Sequence, residues 1–226
     1  FAAEIVPSYF LISHFGTGKQ RAAVAKTYLA YMAVASGLVL AGLMALSGAA
    51  GGESTFDWIK LMSFTIPPGA QTTIFLLLFL GLAIKVPLFP FHTWMPKVLE
   101  QGPIVGMSVY LVGVKIATYA FLRFVIPLLP EASHQWLWLI ATLAVIGIVY
   151  GSLIALIQTN LRRLLAFTTL AHGGVVMLGM FSLNFVGFQG GLLQMINLGL
   201  VAAGLFFIAG FLYTRIGQPD TSGMGG

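Results

Sequence analysis

The chain has 226 residues, of which 58% are hydrophobic and 8% charged, with a formal charge of +5 and a mean hydropathy of +0.96. A soluble domain carries about a quarter charged residues, so that class is excluded, and the basic excess lies in short loops beside apolar runs, which is membrane topology and not nucleic-acid binding. The absence of Cys rules out disulfides, thiolate metal sites, iron–sulfur clusters and covalent haem in this chain, and the His residues lack metal-ligand spacing.

A bilayer core of about 30 Å takes about 20 apolar residues as a helix. Runs of that kind predict seven helices, over 1–15, 24–48, 71–95, 104–127, 135–158, 162–184 and 188–214. The fold class is therefore all-α, a polytopic transmembrane helical bundle forming one transmembrane domain over 1–226. Turns are expected around Gly16–Lys19, Glu53–Lys60, Pro67–Gly69 and Pro127–Ser133. The first helix rises only about 22 Å, too little to span. That predicts a chain opening inside a helix of a longer protein, and a Gly-rich tail after Arg215 leading to further helices. Alternating the connections puts Lys19, Arg21, Lys26, Lys97, Arg162, Arg163 and Arg215 on one side, the basic side, and only Lys60 and Arg123 on the other. The positive-inside rule turns the basic side to the cytoplasm or its equivalent.

Four ionisable residues fall at the wrong depth. Lys115 sits in Val109–Ala117, mid-helix and too deep to snorkel easily. A charged Lys at the bilayer centre costs at least about 2.5–3.5 kcal/mol, so such a group faces a wet cavity or a partner, or gives up its proton. Pairing with a loop acid for structure alone is the bland alternative. Lys85 precedes Pro87 and Pro90, which lack N–H groups and leave the Ala83 and Val86 carbonyls without helical donors. An ammonium beside freed carbonyls in a broken helix is how transporters build ion sites. Pro87 could instead simply end the helix, but the apolar run resumes through Phe89, Phe91 and Trp94. Glu4 lies about 16 Å from the turn at Gly16, near mid-depth if its helix extends upstream, and Pro7 loosens the backbone beside it. His172, about ten residues into the sixth helix, suits a proton shuttle, or is a core histidine bonded to a carbonyl. His92, just past Pro90, serves access or structure near the basic side, whereas His14 and His134 look interfacial.

Glu4, Lys85, Lys115 and His172 come from different helices at similar depth, a polar row along the membrane midplane. Burial disfavours the charged form of a lysine and a nearby carboxylate favours it, so moving Glu4 relative to Lys85 would switch that lysine between holding and releasing a proton. Gly102/Gly106, Gly147/Gly151 and Gly187/Gly191 have the spacing of close helix approach. Trp58, Trp94, Trp136 and Trp138 fit interfacial belts.

The stretch Ala83-Ile84-Lys85-Val86-Pro87-Leu88-Phe89-Pro90-Phe91-His92-Thr93-Trp94-Met95-Pro96, with Val112-Gly113-Val114-Lys115, Tyr119–Arg123, Gln158–His172 and Glu4-Ile5-Val6-Pro7, resembles the antiporter-like, proton-translocating subunits of NADH–quinone oxidoreductase, complex I. The pattern is most like the branch called chain M, subunit 4 in mitochondria. The resemblance covers nearly all of the chain. It implies about fourteen helices in the full protein, of which these are helices five to eleven, with a second broken helix and its terminal exit residue beyond Gly226.

It further implies an ion pair of Glu4 with Lys85, Lys115 as central relay and His172 as relay toward the exit, with Pro87, Pro90, His92 and Asn197 in support. The implied function is proton translocation within a respiratory complex I-type NAD(P)H/ferredoxin–quinone oxidoreductase. The chain would be a translocase subunit without a redox centre of its own. NADH, flavin, iron–sulfur clusters and quinone would lie on partner subunits, and no cofactor in this chain. The partners implied are other membrane subunits of a complex I-like assembly and the lipid bilayer, in a bacterial inner membrane or an equivalent energy-transducing membrane. A multisubunit cation/proton antiporter or a membrane-bound hydrogenase is the alternative, and a scaffold that has lost transport is a third reading. Two departures stand out: Lys97-Val98-Leu99-Glu100-Gln101-Gly102-Pro103 replaces the family's Asp-Ala-His stretch, and Asn197 stands where a His is frequent. Asn cannot exchange a proton near neutral pH, so a relay through that point needs water.

Overall fold

The computed structural model describes residues 2–49, 55–113 and 115–217. Hydrocarbon offers no water to backbone polar groups, so runs as apolar as these close their hydrogen bonds internally as helices. Among the described residues six helical stretches are long and apolar enough to cross a membrane: Arg21–Ala49, Pro68–Lys85, Ile104–Leu128, Leu137–Leu156, Leu161–Met180 and Phe185–Ile216. A shorter helix precedes them.

A 3-10 turn, Ala2–Glu4, leads into α1 (Ile5–Phe15). Pro7 falls in the first turn of α1, where a missing N–H breaks no helical bond. Helix α2 (Arg21–Ala49) is followed by the short α3 (Trp58–Ser63) and by α4 (Pro68–Lys85). A turn and a 3-10 segment, Phe91–Thr93, then lead to α5 (Trp94–Gln101). The next stretch comprises α6 (Ile104–Gly113), α7 (Lys115–Ala120), a π-helical segment Phe121–Val125 and α8 (Ile126–Leu128). Pro127 cannot donate to the Arg123 carbonyl, and just before it the Ile126 N–H reaches back to Phe121 in the wider π register. After α9 (Pro130–Gln135) come α10 (Leu137–Leu156), α11 (Leu161–Met180) and α12 (Phe185–Ile216).

Three expectations are corrected. The helix expected over 71–95 begins earlier, at Pro68, and stops at Lys85. The turns expected at Glu53–Lys60 and Pro127–Ser133 contain helices: Asp57 caps α3 by accepting the Ile59 N–H at 2.9 Å, and Pro130 opens α9 with Glu131 in its first turn. Glu53 and the tail beyond Gly217 lie outside the described residues. Trp94 is not a belt residue. It is wholly buried, and its indole Nε1 donates to the Ile84 carbonyl at 2.9 Å.

The helices pack as α1 on α2, α2 on α4, α10 on α11, and α12 on both α11 and α6. Small residues set the closest approaches. A Cβ on Gly151 would come within 3.0 Å of the Phe167 carbonyl, and one on Gly174 within 2.7 Å of the Ala144 carbonyl, so α10 and α11 meet backbone to backbone.

The loops read as basic-side gather at one end. The Gly18 N–H donates to the Gln101 carbonyl (3.2 Å), and the Gln20 N–H to Gln101 Oε1 (3.1 Å). Arg162, 4% exposed, donates from Nη1 to Thr17 Oγ1 and to the Glu100 carbonyl, both at 2.9 Å. Its guanidinium stands 5.0 Å from the Tyr213 ring centroid. At the opposite end Arg123 stacks 5.0 Å from the Trp58 ring centroid.

Candidate functional site

Helix α4 ends on Lys85, which is 1% exposed, and the Glu4 carboxylate from the turn before α1, 26% exposed, is ion-paired with its ammonium. Taking two charges out of water costs several kcal/mol per ion, and only close pairing offsets it. Residues 81 positions apart meet because α1 and α4 both pack on α2.

The break after Lys85 is hydrogen-bonded. Pro87 removes the ordinary donor to the Ala83 carbonyl, yet the Leu88 N–H takes that acceptor at 2.9 Å. The carbonyl expected to be free is therefore occupied, by a bond one residue longer than the helical one. The Ile84 carbonyl accepts from Trp94 Nε1 and the Leu88 carbonyl from the Phe91 N–H at 2.7 Å. The turn is fixed by named bonds and holds Lys85 at a helix terminus.

Val86 and Pro87 of this turn form one wall of a small cavity of about 10 Å³, close to the space that one water molecule requires. Its other walls are Lys115 and Thr118 of α7, Thr169, Gly173 and Val176 of α11, and Leu198 of α12. Lys115 is half-buried. A Cβ on Gly199 would stand 3.9 Å from Lys115 Cγ, so the lysine stem lies along the backbone of α12. Thr118 and Thr169 are 3% and 7% exposed. Sequence reasoning passed over both, although Thr118 follows Lys115 by three residues on one helix face.

The other predicted residues lie elsewhere. His172 is exposed on α11, its Nδ1 3.3 Å from Gln194 Nε2 of α12. It lines an open groove with Ile148, Ser152, Ala155, Thr168, Ala171 and Val175, separate from the Lys115 cavity. Asn197 is exposed on α12, three residues from Gln194 and so on the same face. His92 is 3% exposed, with the rings of Tyr150 at 5.1 Å, Phe89 at 5.7 Å and Phe167 at 6.3 Å. The structure thus gathers Glu4, Lys85 and Lys115 around the helix break, encloses His92 among aromatic rings, and sets His172 and Asn197 on outward faces. Among the described residues no three His, Asp or Glu come together as a metal site would require.

Comparison with known proteins matches this arrangement. The model of the family described as NADH:quinone oxidoreductase/Mrp antiporter, transmembrane, matches residues 1–226. The chain is 38% identical to NADH-quinone oxidoreductase subunit M of Pseudomonas aeruginosa and 37% identical to that of Escherichia coli K12. Each match covers 98% of this chain and 45% of the relative. It superposes with a TM-score of 0.90 on a chain of respiratory complex I from Thermus thermophilus, at 32% identity over 98% of this chain and 47% of that one. A chain of an archaeal membrane-bound sulfane sulfur reductase shares the fold, with a TM-score of 0.83 at 23% identity. The chain spans a little under half the length of the curated relatives it matches. On the match along its whole length, this integral membrane chain belongs to the NADH:quinone oxidoreductase/Mrp antiporter transmembrane family.

Proposed function

We propose that this chain forms the proton-translocating part of a membrane subunit in a complex I-type NAD(P)H/ferredoxin–quinone oxidoreductase. It acts as a translocase module, while NADH, flavin, iron–sulfur clusters and quinone sit on partner subunits. The observation that carries the reading is the Glu4–Lys85 ion pair at a helix break whose turn shares a water-sized cavity with Lys115. With Glu4 close, the Lys85 ammonium is favoured; when Glu4 is drawn away, the buried charge is disfavoured and the proton passes by way of the cavity to Lys115. Driven by redox chemistry in the partner subunits, repeated separation and return of the pair would move protons through hydrated protein. His172 is the onward acceptor in this scheme.

Lys115→Ala in the whole complex, reconstituted in vesicles, tests the reading. Proton pumping coupled to quinone reduction should be lost in assembled complex; undiminished pumping would remove Lys115 from the path. A multisubunit cation/proton antiporter is the second reading, favoured by the family's inclusion of such proteins. It predicts sodium-dependent proton flux without a quinone partner.

A further inference from the structure

A second polar cluster, of the buried Tyr28 with the half-buried Ser8 and Tyr110, lies between Glu4 and the basic side. The hydroxyl of Tyr28, on α2, is within interacting range of those of Ser8 on α1 and Tyr110 on α6. Tyr28 is wholly buried, and neither phenol oxygen makes a direct hydrogen bond of good geometry with any protein group. The rings pack edge to face at 5.9 Å between centroids, and Trp94 stands edge-on to both, at 5.8 Å from Tyr28 and 6.2 Å from Tyr110. Through its indole N–H the same Trp94 holds the Ile84 carbonyl, one residue before Lys85. Ser8 follows Glu4 by one helical turn on the same face of the chain.

Depth places the cluster on one side of the ion pair. Counting from the basic-side ends of their helices, Ser8 and Tyr28 each lie about 10 Å in and Tyr110 about 9 Å. Glu4 lies about 6 Å deeper than Ser8. Three hydroxyls at one level, each from a different helix, therefore stand between the basic surface and the carboxylate. Aromatic packing alone would be served by Phe. A buried hydroxyl without a direct partner is expensive, whereas one bridged by water both donates and accepts and can pass a proton on.

We propose that Ser8, Tyr28 and Tyr110 form the proton-access route from the basic side to Glu4, the Glu4–Lys85 pair being the point at which the proton is loaded. Trp94 is a positioning residue: it holds the two phenols against the end of the helix that carries Lys85. This inference rests on the proton-translocating reading given above, and it names the side chains through which that site is charged.

The test uses the whole complex in vesicles, with pumping and electron transfer measured per assembled complex. Tyr28→Phe and Tyr110→Phe keep the rings and remove one hydroxyl each. Each should lower coupled turnover about three- to tenfold, as expected for one lost hydrogen-bonded link, and raise the solvent deuterium isotope effect. The double variant should be little worse than either single one, because links in one chain are not additive. If Tyr28→Phe reduces assembly, Ser8→Ala carries the test without touching the ring cluster. Wild-type turnover and isotope effect in these variants, with Lys115→Ala inactive, would overturn the access route alone. Slowed turnover with an unchanged isotope effect would also overturn it, by showing a structural role. Full pumping by Lys115→Ala would instead overturn the proton-translocating reading.

Discussion

Glu4→Gln keeps the size of the side chain and removes the charge that faces Lys85. Lys85 is 1% exposed, so little water reaches its ammonium, and breaking a buried pair from one side costs about 3–5 kcal/mol. Glu4→Gln should therefore destabilise by about 3–5 kcal/mol at pH 7. Lys85→Met leaves Glu4, which at 26% exposure keeps some water, and should cost less. The double variant should recover most of the Glu4→Gln loss, a coupling that a double-mutant cycle isolates. Thermal unfolding of the purified complex in detergent at pH 7 measures all of this. A Glu4→Gln cost below about 1 kcal/mol, or additive single costs, would refute the reasoning.

Two further expectations come from the same contacts. Arg162→Gln removes the Nη1 group that ties Thr17 to the Glu100 carbonyl; it should cost about 1–3 kcal/mol, and limited proteolysis should cut the 16–20 and 97–103 loops faster than in wild type. Thr169→Val keeps the shape of the cavity wall but removes a hydroxyl beside Lys115, so pumping in vesicles should fall about three- to tenfold with assembly unchanged.

The membrane-crossing helices were legible because the signal is length and hydropathy, and both are local. Predicted ends fall within three residues of the observed ones for α2, and within four for α10, α11 and α12. What the apolar runs hid was the fine structure of their margins. Asp57 two residues before Ile59, and Pro130 followed by Glu131, are helix-start signals, but in short polar stretches between long apolar ones they read as turns. Trp94 misled for a different reason. An indole near a helix end usually sits at the headgroups, and only the three-dimensional break brings the Ile84 carbonyl back to meet it.

The site divides along the same line. Depth can be counted along a helix, so Lys115 and His172 were recognisable as misplaced. The direction a side chain faces depends on how the helix is rotated against its neighbours, and neighbours are not written in a local window. Helix α11 shows the consequence. Its rotation is set by Gly174 and Ala171, which lie against Ala144 and Gly151 of α10. With that face fixed, Thr169 and Gly173 turn to the Lys115 cavity, and Thr168 and His172 turn to the groove beside α10. Consecutive residues on a helix point about 100° apart, so His172 and Gly173 share a depth but not a cavity. In the scheme proposed above, a proton moving from Lys115 to His172 would travel round the flank of α11, on the side of α12, where Gln194 Nε2 lies 3.3 Å from the imidazole Nδ1. A row of titratable groups at one level becomes a path only if water turns that corner, because the carboxamide of Gln194, like that of Asn197, exchanges no proton near neutral pH.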